Sequence, residues 1–474
     1  MVPDSIKISV ILFGYLVASP LLGWVISRKK SLMRYGLCLM FFMTSWFPAR
    51  ITLMAHSIET YRGHTKGFEG SLFVCLGMAM TLAALLDKKR GCRLWPPGMT
   101  LYLLFCAAGT LSIVNAMNDA YVLMAAFRYT SAAFVFAAAH YAFEDEATLK
   151  WIIRTLAASL ILQALVCLKM RYVDGRFQVM GWFEHQNSLA MWAYTCALPV
   201  LAFALSSKTS RKESLFYFGA FAATGIMIIL TVSRAALAAY ALGTMAVWIL
   251  CAIRDWNRKL WLFGAAGLCA ACLIAVRGLN GLNSRLESLK DAKEEIDLRG
   301  ILIIQAKTML QDHWLGVGWN NYGLANSEPD GQYAYILEHW AQGDSKLHLD
   351  LFEREPLPES YYWLLLAELG YPGFICNVAF MALCLWWTLA CTKTYWNSRV
   401  LPLVFGLMVV MLLYLGHCTV ERILTQSKNI TLWLLFAGCL ARLHSMRPRA
   451  IKKSCWGPIS QKTKSPGNRQ PLAF

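Results

Sequence analysis

Charge is scarce in this chain, and negative charge is scarcest. Only 15% of the 474 residues are charged, and 28 acids stand against 45 lysines and arginines. A soluble domain carries about 25% charged residues, so an ordinary water-soluble fold is excluded. The strict alternation of short barrel strands is also missing, which argues against a membrane β-barrel. No internal repeat and no inverted pair of halves can be found, which weakens the case for a transporter. The fifteen cysteines show no metal-ligand or disulfide spacing. Most lie inside apolar runs (Cys38, Cys106, Cys196, Cys384) and read as small packing residues. No metal and no cofactor is therefore expected.

What is present is a ladder of apolar segments. Hydrophobic residues make up 57% of the chain, in continuous runs of about 17–25 residues, the length of a membrane-spanning helix. The expected architecture is all-α, a polytopic helical bundle. Spans are predicted near 6–27, 32–54, 69–86, 99–115, 119–143, 148–168, 187–206, 214–232, 235–253, 260–276, 360–391, 400–417 and 429–445, about twelve or thirteen in all. The second is the weakest, because Pro48 and Arg50 interrupt it. The first has its basic cluster, Arg28 to Lys30, after the apolar stretch, and reads as a retained anchor instead of a signal peptide. The chain thus divides into N-terminal spans (1–276), one large loop containing short helices (277–358), C-terminal spans (359–446) and a basic, polar tail (447–474).

The net charge of +17 would suggest nucleic acid in a soluble protein. Here the lysines and arginines gather in alternate short connections, 27–34, 87–93, 207–213, 254–259 and 392–399, and in the tail. This is the positive-inside pattern, so those connections and the C-terminus are expected in the cytoplasm and the large loop outside. The partner implied is the bilayer, not nucleic acid.

Chemistry must be sought among charges that the membrane makes expensive. Arg234 stands between two apolar runs with almost no loop around it, either to meet an anion or to snorkel. Arg299 heads an amphipathic pattern (Leu298, Ile301, Leu302, Gln305, Met309, Leu310) that Asp297 is placed to cap. Arg128, ten residues into the fifth run, is either mid-membrane, and then functional by default, or the true start of that span, the second being preferred. His185 and Asn187 precede the seventh span, with Asn187 as its expected cap. Glu359 opens the eleventh span as a candidate general base or a plain first-turn carboxylate. Glu368, deeper in the same helix, is expected to be paired and structural.

The order of these residues resembles the bacterial O-antigen ligase and polymerase family. The likeness rests on Phe183-x-His185-x-Asn187, on Ser233-Arg234-Ala235-Ala236, and on Arg299 in a helix leading to Gly316-x-Gly318-x-Asn320-x-Tyr322. Tyr362-x-x-Leu365-x-x-Glu368-x-Gly370 follows the large loop. The resemblance implies a metal-independent, inverting glycosyltransferase of the bacterial inner membrane. Its donor would be a glycan on undecaprenyl diphosphate, bound at the periplasmic face, and its acceptor another glycan or the lipid A core. It also implies that Arg234 and Arg299 bind the diphosphate, with His185, Asn187 and Tyr362 binding substrate or shaping the site. Where the family places a catalytic His-Asn pair, this chain has Glu359-Ser360. A carboxylate can still take the acceptor's proton, since glutamate with a reference pKa of about 4.3 is a base at neutral pH. Other readings are a polysaccharide flippase or transporter, and an inactive relative acting as an assembly partner.

Overall fold

The computed structural model describes residues 3–46, 52–57, 63–87, 95–265, 289–326, 331–340 and 357–446, with residues 289–298 described in backbone only. It is an all-helical bundle. Among the described residues, seven helices are long and apolar enough to cross a membrane: α1 (Asp4–Ser27), α5 (Asp119–Ala142), α6 (Glu146–Tyr172), α7 (Gln186–Leu205), α8 (Arg211–Thr231), α9 (Arg234–Arg254) and α13 (Tyr361–Thr394). Shorter helices run beside them: α2 (Lys30–Trp46), α3 (Leu72–Leu86), α4 (Met99–Leu111), α14 (Leu401–His417) and α15 (Ser427–Ser445). The large loop contributes α10 (Leu289–Asp312), α11 (Tyr322–Ala325) and α12 (Ala334–Trp340). Most of the span expected at 260–276 lies outside the described residues.

Helix α7 is the axis. Beyond its polar first turn it is mainly apolar and buried from Ser188 to Leu205, packed by α6, α8, α9 and α14. Gly406 of α14 lets that helix reach Pro199 of α7: a Cβ there would lie 2.4 Å from the proline Cα, the close approach that small residues permit between membrane helices. By contrast, α1 leaves Val10, Phe13, Leu16 and Leu21 exposed, a lipid-facing surface.

The second predicted span needs correction. Helix α2 stops at Trp46, and residues Thr52–Ala55 form a strand, β1, antiparallel to β2 (Phe68–Ser71) with Thr52 opposite Ser71 and Ala55 opposite Phe68. The chain doubles back as a hairpin at the same end of the bundle as the large loop, called here the loop end.

The opposite, basic end is tied by ion pairs between connections: Arg34 with Asp145 at 2.9 Å, Arg399 with Glu146 at 2.9 Å and Arg154 with Glu213 at 2.8 Å. The described basic connections, 27–34, 207–213, 254–259 and 392–399, thus share one end of the bundle, and the loop residues singled out as candidates lie at the other.

Candidate active site

Two glycine motifs from distant parts of the chain fit into one another. Helix α13 is broken at Gly370 (φ 60°, ψ −164°), a conformation essentially restricted to glycine. Segment 314–318 enters that break. Val317 N donates to Ala367 O at 2.8 Å, Gly318 N to Glu368 O at 3.2 Å, and Tyr371 N to Trp314 O at 3.0 Å. Gly316 (φ 83°) lies so close that a Cβ would come within 2.3 Å of the Glu368 carbonyl oxygen. Trp319 then buries its ring against Phe105 and Tyr129. The next residue, Asn320, grips Thr65 on both sides: its Oδ1 accepts from Thr65 N at 3.1 Å and its Nδ2 donates to Thr65 O at 2.8 Å. Both motifs of the sequence reading therefore build the floor of the loop end.

That floor holds charges that no sequence pattern paired. The His64 Nε2 lies 3.0 Å from Glu368 Oε2, both side chains buried. Arg128 Nε lies 3.4 Å from Glu69 Oε2, equally buried. Arg128 also donates to the carbonyls of His64 (2.8 Å) and Thr425 (2.7 Å) and to Thr65 Oγ1 (3.0 Å). The expectation that Arg128 begins its span is overturned. Helix α5 starts at Asp119, nine residues earlier, capped by the Asn118 side chain, and Arg128 is affordable at depth because four oxygens from the 64–69 segment and the 418–426 connection surround it. The available signal was that Arg128 and Glu368, each inside an apolar helix, required partners. Arg128→Ala is expected to destabilise the fold by about 3–5 kcal/mol, because it strands a buried carboxylate. Thermal inactivation in detergent would measure this, and an unchanged midpoint would contradict the pairing.

Above the floor, Arg299 and Glu359 meet. Arg299 Nη2 is 2.5 Å from Glu359 Oε2, with both side chains about two-fifths exposed. Helix α10 carries the arginine. It begins at Leu289, so Asp297 lies within it and is not its cap, and Arg299 is not in its first turn. Buried Leu302, Ala306 and Met309 hold this helix down. Gln305 is buried with them and donates to Tyr333 O at 3.2 Å. Leu364 and Ala367 of α13 share the apolar cluster with Met309 and Tyr322, so the described part of the loop packs its apolar residues onto the bundle.

The remaining candidates stand at the same end. Arg234 is the first residue of α9, exposed, directly after a tight reversal in which Val232 adopts φ 59°, an uncommon conformation for a β-branched residue. Among the described residues its side chain makes no hydrogen bond or ion pair, so it is not brought into contact with Arg299. His185, not Asn187, caps α7: its Nδ1 accepts from Asn187 N at 3.2 Å. Partial burial of the ring, and secondarily the Arg422 charge, lower the His185 pKa from the ordinary histidine value. Asn187 instead donates to Glu421 Oε1 at 2.6 Å. Tyr362 donates to Leu415 O at 2.9 Å, tying α13 to α14. Next to it, Tyr361 N donates to Cys418 O at 3.0 Å, which ties the start of α13 to the 418–426 connection.

The fold and its loop end define a polytopic helical membrane protein with one polar, arginine-bearing site at the mouth of the bundle. Residues 219–378, which contain Arg234, Arg299, Glu359 and both glycine motifs, match the O-antigen ligase family, a match over about a third of the chain that supports an O-antigen ligase-family protein. That family is bacterial and membrane-bound, and its activity is of the O-antigen ligase or polymerase type, on lipid-linked glycans. His185 and Asn187 fall outside the matched residues. No curated protein matches the chain.

Proposed function

We propose that this protein is an inverting, metal-independent glycosyltransferase of the inner membrane that transfers or polymerises a glycan from an undecaprenyl-diphosphate donor at the periplasmic face. The observation that carries this reading is the Arg299–Glu359 pair, 2.5 Å apart at the open rim of the loop end. A sugar hydroxyl is a poor nucleophile. Glu359 takes the acceptor hydroxyl's proton as the oxygen's electron pair forms the new bond to C1 of the donor sugar. The bond from C1 to the diphosphate oxygen breaks, and its electron pair leaves with the diphosphate. Arg299 and Arg234 stabilise that developing charge, and guanidinium groups suit it because they offer two parallel donors to phosphate oxygens. His185 and Asn187 hold the entry to α7 and the 418–426 connection in place beside the site, and Tyr362 fixes the start of α13. The large loop faces the periplasm and the C-terminus the cytoplasm, in accord with the basic connections at the opposite end.

Arg299→Ala and Arg234→Ala are each expected to abolish transfer from a lipid-linked oligosaccharide while the protein still inserts and accumulates. Full activity in both variants would remove the diphosphate assignment. Deleting the gene and analysing surface polysaccharide separates the two forms of the reaction: lost attachment to lipid A core indicates a ligase, and single repeats without long chains indicate a polymerase.

A further inference from the structure

The basic end carries a second lipid-like recess that the transfer reaction does not use. Between α6, α7, α8 and the turn before α14 lies a small pocket of about 50 Å³, whose polar lining includes Lys150, Lys208, Thr209 and Arg399 together with the carboxylates Glu146 and Glu213. It shares Glu213 and Tyr217 with a wider groove of about 490 Å³ along the outer surface of α6 and α8. That groove is almost entirely apolar, floored by Ala158 and walled by Trp151 and Phe216. The pocket and the groove thus adjoin at Glu213 and Tyr217, with Arg154 and Lys212 also lining the groove, on two helices long enough to cross a membrane.

The charge around the chamber is unbalanced. Glu146 is shared by Arg399 at 2.9 Å and Lys150 at 3.5 Å, and Glu213 belongs to Arg154. Lys208 donates only to the Asn397 carbonyl, at 2.9 Å. Lys259 nearby is held by three neutral oxygens, those of Ser206, Thr209 and Ser214. Arg254 reaches the Ser398 carbonyl at 3.4 Å. No carboxylate pairs with Lys208, Lys259 or Arg254 among the described residues. Burial, then repulsion from Arg254 and Arg399, lowers the Lys208 pKa against the smaller opposing pull of Asp255 and Glu146, as expected where cations outnumber the acids beside them. Basic pockets between membrane helices recognise lipid phosphates, and the apolar groove supplies the seat for an acyl chain.

We infer that this recess binds an anionic phospholipid, with its phosphate between Lys208, Lys150 and Arg399 and one acyl chain in the Trp151–Ala158–Phe216 groove. The inference does not depend on the transfer reaction. Its test is native mass spectrometry and binding titration of the full-length protein in detergent with phosphatidylglycerol, phosphatidylcholine and inorganic phosphate. Phosphatidylglycerol is expected to bind preferentially. Lys208→Gln with Lys150→Gln should weaken it about fivefold for each lysine removed. Ala158→Trp, on an exposed helix face, should block phosphatidylglycerol and leave the melting temperature unchanged. Equal binding of the two lipids would overturn the inference. So would phosphatidylglycerol binding that survives Ala158→Trp and is displaced by inorganic phosphate, because the pocket would then be a free-anion site. Loss of transfer activity is not a readout here, so failure of this inference and failure of the proposed reaction are distinguishable.

Discussion

Glu359→Gln is expected to slow transfer by about 10²- to 10⁴-fold, the usual contribution of a positioned general base, and at the same time to tighten binding of an isoprenoid diphosphate. The second effect follows from the ion pair. Glu359 sits on the guanidinium proposed to receive the diphosphate, so the two anions compete for Arg299. Glutamine keeps the size of the side chain and removes the competing charge. A base that touched no arginine would give the first effect without the second, and a purely structural ion pair would give neither. The measurements are single-turnover transfer in proteoliposomes and direct binding of the diphosphate lipid. Near-normal turnover in Glu359→Gln would move the base elsewhere. His313 follows α10 and His339 stands exposed on α12, whereas His348 lies outside the described residues. His64 is a poor substitute, because its Nδ1 lies 3.2 Å from Thr65 Oγ1 and its Nε2 faces Glu368.

Gly370→Ala is expected to prevent accumulation of folded protein, a loss of about 4 kcal/mol or more that places it among the largest single-substitution effects. The added methyl would lie 2.1 Å from the Trp314 carbonyl oxygen, and the neighbours it meets are backbone atoms that cannot swing aside. The φ of 60° adds strain for any residue with a side chain. Gly316→Ala meets the Glu368 carbonyl in the same way and should behave alike. Gly300→Ala is the control: it lies in α10 with nothing within 4 Å of the new methyl, and alanine favours helix there. Yield and thermal stability of the three variants in detergent decide the matter. A stable Gly370→Ala protein would mean that segment 314–318 is not clamped in the helix break.

The helices were largely legible in the sequence because apolar runs of bilayer length have few alternatives. Helices α5 to α9 and α13 to α15 fall within a few residues of the expected spans. Long-range polar pairing was not legible. Arg128 looked like a helix start because an arginine at depth is costly, and what offsets that cost, Glu69 with the carbonyls of His64 and Thr425, comes from segments up to 297 positions away. Asp297 looked like a cap because an amphipathic pattern begins after it, while the helix extends back to Leu289 over residues without that pattern. The meeting of Arg299 with Glu359 is intermediate. Each was visible as a charge at a segment boundary, but only the fold of the intervening loop brings them together.

The floor of the loop end also dictates when the protein is completed. His64 and Thr65 emerge early in synthesis, yet their partners Glu368 and Asn320 lie 304 and 255 positions further along. At about 5–20 residues per second, the first partner pair waits about 15–60 s for its second half. During that interval the 64–69 segment has only its early partner Arg128, and a chain stopped before Gly370 has most of its spans but no finished mouth. Completion of the loop end therefore waits on the C-terminal third of the chain, which carries Glu368 and Asn320.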